Sequence, residues 1–253
     1  MRNSAIIFFL LWVNGLARAQ ADNEIQVYAA PTVEDKWTIF ELHSNYTFRG
    51  SKFLTNPKSA RWTNETLEVT HGFGKDFEIG LYTFTGFAPG GNYIYQGNQI
   101  RPRVTVPPTW KWPLGASLSV EFGFFKLDDT TKSVWQGEIR PIMDKTFGNW
   151  YFAFNPNISF VVTGNDKGAD ITPQLKTVYT IRDRVGIGIE YYGLVGSFKK
   201  ILSAEMQEHL IGPMIDLYID PMWEINGGML FGLTKNSNQQ ILKILIGRRF
   251  GKK

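Results

Sequence analysis

The sequence predicts an all-β fold, an antiparallel transmembrane β-barrel of about twelve strands in up-and-down order, with ten or fourteen strands as alternatives. Three observations predict it. Segments that alternate between apolar and polar residues recur along the chain, aromatic residues gather near the ends of these segments, and an export signal precedes them. Alternation of this kind places one face of each strand against lipid and the other face in the barrel interior.

The N-terminus is typical of a secretory signal peptide. A positively charged start that includes Arg2 is followed by the apolar stretch Ser4–Val13 and by Ala17-Arg18-Ala19, an A-x-A cleavage signal. The apolar stretch is well short of the ~20 residues that a membrane-spanning helix needs. We therefore expect residues 1–19 to be a signal peptide that is cleaved after Ala19.

Composition excludes several classes of function. The chain has no cysteine, so it can have no disulfide framework, thiolate nucleophile or cysteine metal site. The formal net charge of +4 includes Arg2 and Arg18 of the signal, and the other charges are scattered along the chain. Nucleic acid is therefore not an expected partner, because nucleic-acid binding requires clustered basic residues.

Alternating segments fill most of the chain after the signal. In the clearest one, Val185 and Ile187 share a face with Ile189, whereas glycines and Glu190 take the other face. The twelve predicted strands are 37–48, 63–73, 76–86, 98–107, 117–127, 133–143, 147–156, 173–182, 184–195, 208–219, 221–233 and 239–250. With an even number of antiparallel strands, the first and the last strand have their free ends on the same side of the membrane.

The connections predict two different ends of the barrel. Several turns are short, whereas Phe48–Thr63, Phe84–Asn98 and Leu194–Glu208 are long enough for outer loops. Bacterial barrels pair short periplasmic turns with longer outer loops. Residues 20–36 are predicted to be an irregular segment that is a candidate to enter the barrel, and residues 37–253 are predicted to form the barrel itself.

Charged residues mostly take the strand face opposite the apolar face. In a barrel, this charged face lines the interior. The predicted lumen residues are Glu41, His43, Glu78, Arg101, Arg103, Glu121, Glu138, Arg140, Lys176, Glu190, Asp216, Lys243 and Arg249. Two interpretations stay open. Rings of charge set ion and solute selectivity in pores, but the same residues could form ion pairs that fill and hold a narrow barrel.

Aromatic residues favour a membrane barrel over a soluble β-sandwich, which would also alternate. Tyr82, Phe84 and Trp223 lie near predicted strand ends, as the aromatic belts at membrane interfaces require. The last strand ends at Phe250, and an aromatic residue there resembles the signal that barrel-assembly machinery recognises, although Gly251-Lys252-Lys253 follow it. Outer-membrane lipids and that machinery are therefore the expected partners.

Short stretches spread along the mature chain carry a family resemblance. They are Glu24-Ile-Gln-Val-Tyr28, Phe40-Glu-Leu-His-Ser-Asn-Tyr46, Phe77-Glu-Ile-Gly-Leu-Tyr82, Glu138-Ile-Arg-Pro-Ile142, Asn155-Pro156, Gly188-Ile-Glu-Tyr-Tyr192 and Phe231-Gly-Leu-Thr234. They resemble a broad family of bacterial outer-membrane proteins labelled as a transporter or as the MetA-pathway-of-phenol-degradation family. The resemblance implies an outer-membrane barrel that acts as a channel or transporter, and it assigns neither a substrate nor catalytic residues.

Histidines are the remaining candidates for chemistry. His43 precedes Ser44, but adjacent residues of a strand point to opposite faces, so these two cannot form a nucleophile–base pair. His71 and His209 are the other histidines, and neither an H-x-x-x-H pair nor a calcium-loop spacing occurs. We therefore predict no catalytic residue, no cofactor and no metal site.

Three hypotheses of function follow. The sequence favours a passive or weakly selective channel or transporter for small solutes in the bacterial outer membrane, with a charged lumen. The second hypothesis is a closed structural barrel whose outer loops bind a partner. The third is an outer-membrane lipid-modifying enzyme centred on His43, which would need a serine from another strand.

Overall fold

A computed structural model describes residues 23–53, 60–126, 133–163 and 167–251. The predicted signal peptide, with its cleavage site after Ala19, lies outside the described residues. Within the described ranges, no helix is long and apolar enough to cross a membrane.

Twelve long antiparallel strands form a closed barrel. They are β1 (Thr38–Arg49), β2 (Trp62–Phe73), β3 (Phe77–Phe87), β4 (Tyr93–Thr105), β5 (Gly115–Lys126), β6 (Ser133–Phe147), β7 (Trp150–Val161), β8 (Gly168–Ile181), β9 (Val185–Leu194), β12 (Glu208–Leu217), β13 (Trp223–Gly232) and β14 (Gln240–Phe250). Two short strands, β10 (Gly196–Ser197) and β11 (Lys200–Ile201), extend from β8. Each long strand pairs with its sequence neighbours and β1 pairs with β14, so the predicted all-β, up-and-down barrel of about twelve strands is confirmed.

Two strands begin five residues before their predicted starts, and each has a physical reason. The β3–β4 pairing contains a bulge next to Gly97, which has a φ of 152° and where a Cβ would collide with the carbonyl oxygen of Phe124. The bulge interrupts the alternation that marks a strand in sequence. β8 starts at Gly168 and continues through Pro173, which lies opposite Pro156 of β7, although proline is uncommon inside a strand.

The outer surface of the barrel is apolar. In β3 the side chain of Leu81 is 54% exposed, whereas that of the next residue, Tyr82, is 1% exposed. The same inversion occurs at Ile100 of β4 and Ile189 of β9, which are 45% and 49% exposed in the middle of their strands. Exposed apolar bands of this extent do not occur on soluble monomers, so this surface is one that faces lipid.

Aromatic residues cluster at both ends of the barrel, but the predicted interface position of two of them is wrong. Trp110 and Trp112 are exposed in the turn after β4, and Tyr93 is exposed at the other end. Tyr82 and Phe84, predicted at an interface, instead point into the interior, where their rings stack 5.7 Å apart. The reason is the period of two in β3, which puts them on the same face as Glu78.

The turns and loops segregate between the two ends. Residues 74–76, 148–149, 182–184 and 218–222 connect strands at one end, which we call the short-turn end. The connections that correspond to the three predicted outer loops start and end at the opposite end, which we call the long-loop end. The prediction of a long loop over Phe84–Asn98 is wrong, because β3 continues to Phe87 and β4 starts at Tyr93, which leaves only residues 88–92 between them. The turn at 106–114 is longer than the others at the short-turn end and contains a 3-10 helix, Pro108–Trp110.

Residues 23–36 lie inside the barrel and have no regular secondary structure over most of their length. We call them the plug segment. Ile25, Val27 and Ala30 are buried in it, and Asp35 forms an isolated bridge with Gly72 just before β1 begins. The fold therefore puts a stretch of non-strand backbone in the middle of the interior, where its polar groups need partners from the wall.

A charged substitution on the outer face tests the lipid-facing assignment. Leu81→Arg, in the middle of β3, should reduce the free energy of unfolding by about 2–4 kcal/mol, because an arginine at the bilayer midplane loses its hydration. The matched control is Phe87→Arg at the end of the same strand, which should cost about 0–1 kcal/mol. Reversible denaturant unfolding in lipid vesicles measures both, and equal losses would contradict the assignment.

Candidate pore and the charged interior

Arg101 is at the centre of the first charged cluster of the interior. Its guanidinium contacts Oε1 of Glu68 at 2.5 Å and Oε1 of Glu78 at 2.7 Å, and its Nε donates to the hydroxyl of Tyr82 at 2.6 Å. These residues occupy inward positions of β2, β3 and β4, which are neighbouring strands. One arginine thus links three strands from the inside.

Arg103 and Arg140 connect the wall to the plug segment. Arg103 contacts Glu78 at 2.8 Å and donates to the carbonyl oxygens of Ala29 at 2.9 Å and Pro31 at 3.0 Å. Arg140 lies 2.7 Å from Glu138, 3.2 Å from Glu121 and 3.4 Å from Glu24 of the plug segment. The guanidinium groups therefore satisfy carbonyls and carboxylates that would otherwise be buried without partners.

Tyr28 is the residue of the plug segment with the most contacts to this cluster. The guanidinium carbons of Arg101, Arg103 and Arg140 lie 4.9, 5.5 and 4.4 Å from the centre of its ring. Such distances are those of cation–π contacts. Its backbone makes a reciprocal pair with Asn155 of β7, in which Tyr28 N donates to Oδ1 at 2.7 Å and Asn155 Nδ2 donates to Tyr28 O at 3.1 Å.

The Tyr28 hydroxyl is also fully engaged. It hydrogen-bonds to Glu24, lies 3.1 Å from Oε2 of Glu68 and lies 2.8 Å from the hydroxyl of Tyr82. Burial raises the pKa of Tyr28 well above its usual value, and the nearby carboxylates of Glu24 and Glu68 raise this pKa further. The phenol therefore stays protonated, and its one hydrogen is donated to Glu24, the nearer of the two carboxylates.

A second charged cluster lies on the opposite part of the wall. Lys176 of β8 contacts Glu190 of β9 at 3.4 Å and Asp216 of β12 at 3.0 Å. Lys243 of β14 contacts Glu190 at 2.6 Å. The hydroxyl of Tyr192 donates to Glu190 at 2.6 Å, so Glu190 is held by three partners at once.

Arg249 stands apart from both clusters, near the short-turn end. It lies 3.2 Å from Glu34 of the plug segment and 3.4 Å from Glu224 of β13. These three side chains are partly exposed, unlike those of the clusters. They are placed at the mouth of the cavity described next.

An internal cavity of about 730 Å³ runs between the plug segment and the wall. Asp183 and Asp220 line it at the short-turn end, and Lys176 and Lys243 line it deeper inside. The deeper interior also contains an apolar cluster in which Ile25 and Val27 of the plug segment pack with wall residues. The wall residues of this cluster are Ala153, Tyr192, Leu210, Leu230 and Ile241.

All of the predicted lumen residues lie on the inward side of the wall, and most are buried. Lys176 and Arg249 are partly exposed to the cavity, which both of them line. The structure divides the predicted residues into separate groups. The first group contains Glu78, Arg101 and Arg103, and the second contains Glu121, Glu138 and Arg140. The third group contains Lys176, Glu190, Asp216 and Lys243. The remaining residues are Glu41 and His43, which lie together beside Glu68, and Arg249, which lies at the mouth.

Several interior residues were missed by the sequence analysis. Glu68 lies between Thr66 and Thr70 on the inward face of β2, so its alternation was a usable signal. Glu24 and Tyr28 precede the first strand, where no periodicity indicates which way a side chain points. Their roles depend on contacts that only the folded plug segment makes.

The pair His43 and Ser44 does not form a catalytic arrangement. His43 is buried on the inward face of β1, whereas Ser44 lies on the outward face and donates to Glu65 at 2.7 Å. A hydrolase mechanism needs a nucleophile within hydrogen-bond reach of its base. The two residues therefore have separate surroundings, as the alternation of the strand requires.

Fold and interior together define the class: a closed antiparallel barrel with a lipid-facing surface, a charged interior and an internal N-terminal segment. No protein-family model matches the chain, and no curated protein matches it significantly. Among solved structures, it is similar to the COG4313 outer membrane channel from Pseudomonas putida F1, with a TM-score of 0.63 and 11% identity over 90% of this chain and 100% of that one.

A second similarity is to the KdgM porin. One structure of that porin matches with a TM-score of 0.51 and 11% identity over 85% of this chain and 99% of that one. Another, in complex with disordered oligogalacturonate, matches with a TM-score of 0.53 and 12% identity over 84% of this chain and 99% of that one. At these identities the comparisons establish the barrel fold. The MetA-pathway family suggested by sequence is not confirmed.

Removing the central arginine tests whether the first cluster is desolvated. Arg101→Met leaves the buried carboxylate of Glu68 without its main cationic partner and removes one of two arginines from Glu78, so it should lower the free energy of unfolding by about 3–5 kcal/mol. Adding Glu68→Gln to this variant should recover part of the loss, because one uncompensated charge is then removed. Denaturant unfolding of the refolded barrel measures each value.

The control is Lys235→Met, which breaks an exposed pair with Glu205 at 3.2 Å. Exposed pairs contribute about 0–1 kcal/mol, so this change should have a small effect. If Arg101→Met is as stable as the control, the first cluster is hydrated instead of desolvated.

Proposed function

We propose that this protein is a channel of the bacterial outer membrane for small solutes, passive or weakly selective, with its pathway beside the plug segment. The observation that carries the proposal is the internal cavity of about 730 Å³ between that segment and the wall. We orient the barrel with its short-turn end toward the periplasm, because bacterial barrels usually have their short turns there. The similar COG4313 and KdgM barrels are a channel and a porin, which supports the same class of activity here.

The plug segment sets the width of the pathway. Arg103, Arg140 and Asn155 hold it against β4, β6 and β7. The cavity beside it is lined mainly by residues of β8 to β14, together with inward residues of β1 to β4. Ile25 and Val27 close with apolar wall residues in the deeper part of the interior. An apolar constriction admits water poorly, so this contact limits conduction.

The charges of the interior favour cations. Among the described residues, the buried carboxylates are Glu24, Glu41, Glu68, Glu78, Glu121, Glu138, Glu190 and Asp216, and the buried cationic side chains are Arg101, Arg103, Arg140 and Lys243. Acidic residues also outnumber basic ones along the cavity itself. The acidic lining residues are Glu34, Glu41, Glu78, Asp183, Glu190, Asp216, Asp220 and Glu224, and the basic ones are Arg101, Arg103, Lys176, Lys243 and Arg249. A water-containing path lined by excess negative charge concentrates cations. A polyanion such as the oligogalacturonate of the KdgM complex would be disfavoured here.

The closed structural barrel is the competing function. Extensive ion pairing could serve only to hold the wall and the plug segment together. The cavity favours the channel, because a barrel that is only structural would gain stability by filling a space of that size.

Shortening the plug segment tests the pathway. Deletion of residues 23–34 should raise single-channel conductance in planar bilayers several-fold, because the deletion removes the apolar constriction and widens the interior. The control is Thr32→Ala, a small change within the same segment, which should leave conductance near the wild-type value. Heat-modifiable migration on gels verifies that both variants form barrels, and a folded deletion variant with unchanged conductance would contradict the proposal.

Neutralising the mouth tests the cation preference. The double variant Glu34→Gln/Glu224→Gln leaves Arg249 as the uncompensated charge there, so the reversal potential in a salt gradient should shift toward anions. The shift should shrink as ionic strength rises, because salt screens exposed charges within about 10 Å at 0.1 M. Glu205→Gln, at the long-loop end, is the control away from the mouth, and it removes one negative charge where the double variant removes two. A reversal potential that is equal in both variants would show that the mouth does not select.

A further inference from the structure

Three potential metal ligands converge on the inner wall at the start of the barrel. Glu41 and His43 lie two residues apart on the inward face of β1, and Glu68 faces Glu41 from the paired position of β2. One ligand atom of each side chain lies within 4.8 Å of those of the other two. All three residues are buried.

His43 gives an independent indication that a ligand belongs here. The residue is 1% exposed, and neither ring nitrogen makes a hydrogen bond of ordinary geometry within the described part of the chain. The nearest carboxylate atom is Oε2 of Glu68, 3.5 Å from Nε2. A buried imidazole without partners is destabilising, and in native proteins such a group is often explained by an ion or a water.

Glu68 is oriented by contacts on its other oxygen. Arg101 at 2.5 Å and the Thr70 hydroxyl at 2.7 Å both bind Oε1. Their contacts leave Oε2 directed toward His43 and the hydroxyl of Tyr28, which lies 3.1 Å away. Carboxylates that bind metal ions are commonly held in this way, with hydrogen bonds from neighbouring residues that fix their orientation.

An entry path and the charge balance agree with a bound cation. Glu41 lines the internal cavity, so an ion can reach the group from the short-turn end. Glu41, unlike Glu68, has no ion pair with a cationic side chain among the described residues, and a divalent ion would supply a positive partner for it.

We infer that Glu41, His43 and Glu68 form a binding site for a divalent first-row transition metal ion, of which Zn²⁺ is representative. One imidazole with two carboxylates suits such an ion better than Ca²⁺ or Mg²⁺, which prefer all-oxygen sites. Three protein ligands leave a coordination position for water from the cavity. The sequence analysis predicted no metal site because Glu68 lies on a different strand and no spacing motif links it to His43.

The test uses the full mature protein without a histidine tag, stripped with a chelator and kept in detergent. Titration with Zn²⁺ by calorimetry and with Co²⁺ by visible absorption should each saturate at one ion per chain. The Zn²⁺ X-ray absorption spectrum should fit a mixed shell of nitrogen and oxygen at about 2.0–2.2 Å, with a single imidazole. No saturable binding, or a shell with several imidazoles, would overturn the inference.

Variants assign the site. His43→Ala and Glu41→Gln should weaken binding by more than about 10-fold, since even residues behind the ligands change metal affinity by about 10- to 100-fold. His71→Ala and His209→Ala, which remove the other histidines, should bind as the wild type does. His43→Gln replaces His43→Ala if the latter fails to show heat-modifiable migration. Unchanged affinity in folded His43 variants would overturn the inference.

Discussion

The interior of this barrel depends on the pairing of charges that have been removed from water. Arg101 and Arg140 each contact more than one carboxylate, and Tyr28 lies between them. Charged groups therefore join the wall to the plug segment, and removal of any one of these groups would leave its partner as an uncompensated buried charge. This constraint explains why an irregular stretch of chain can lie stably inside a β-barrel: the wall supplies Asn155 and Arg103 to its backbone, as strands supply one another.

The same constraint links the two charged clusters to the internal cavity. Glu78, Arg101 and Arg103 pair with one another or with the plug segment and also border the cavity. Lys176, Glu190 and Lys243 are likewise paired and border it from other strands. The charged side chains that line the cavity are therefore held in fixed positions by their partners.

The sequence predicted the barrel well because its main signal is local. A period of two identifies inward and outward residues without any knowledge of the partner strand, and all of the predicted segments correspond to observed strands. Departures occur where local geometry breaks the period, at the bulge beside Gly97 and at Pro173. In β3 the same period of two places Tyr82 and Phe84 inside the barrel, although their position near a strand end had suggested the membrane interface. Contacts across the interior could not be predicted, because the positions of Glu24 and Tyr28 depend on the path of a segment without periodicity, and the neighbourhood of His43 depends on the register between β1 and β2.

The pairing of β1 with β14 has a consequence for how the molecule acquires its stability. The first and last strands of the barrel meet only when nearly the whole chain has been arranged, so the contact that seals the cylinder is among the most distant in sequence. A gap between these two strands would give water a lateral path to the inward side chains. Complete exclusion of bulk water from the interior therefore depends on a contact that spans almost the whole strand-forming part of the chain.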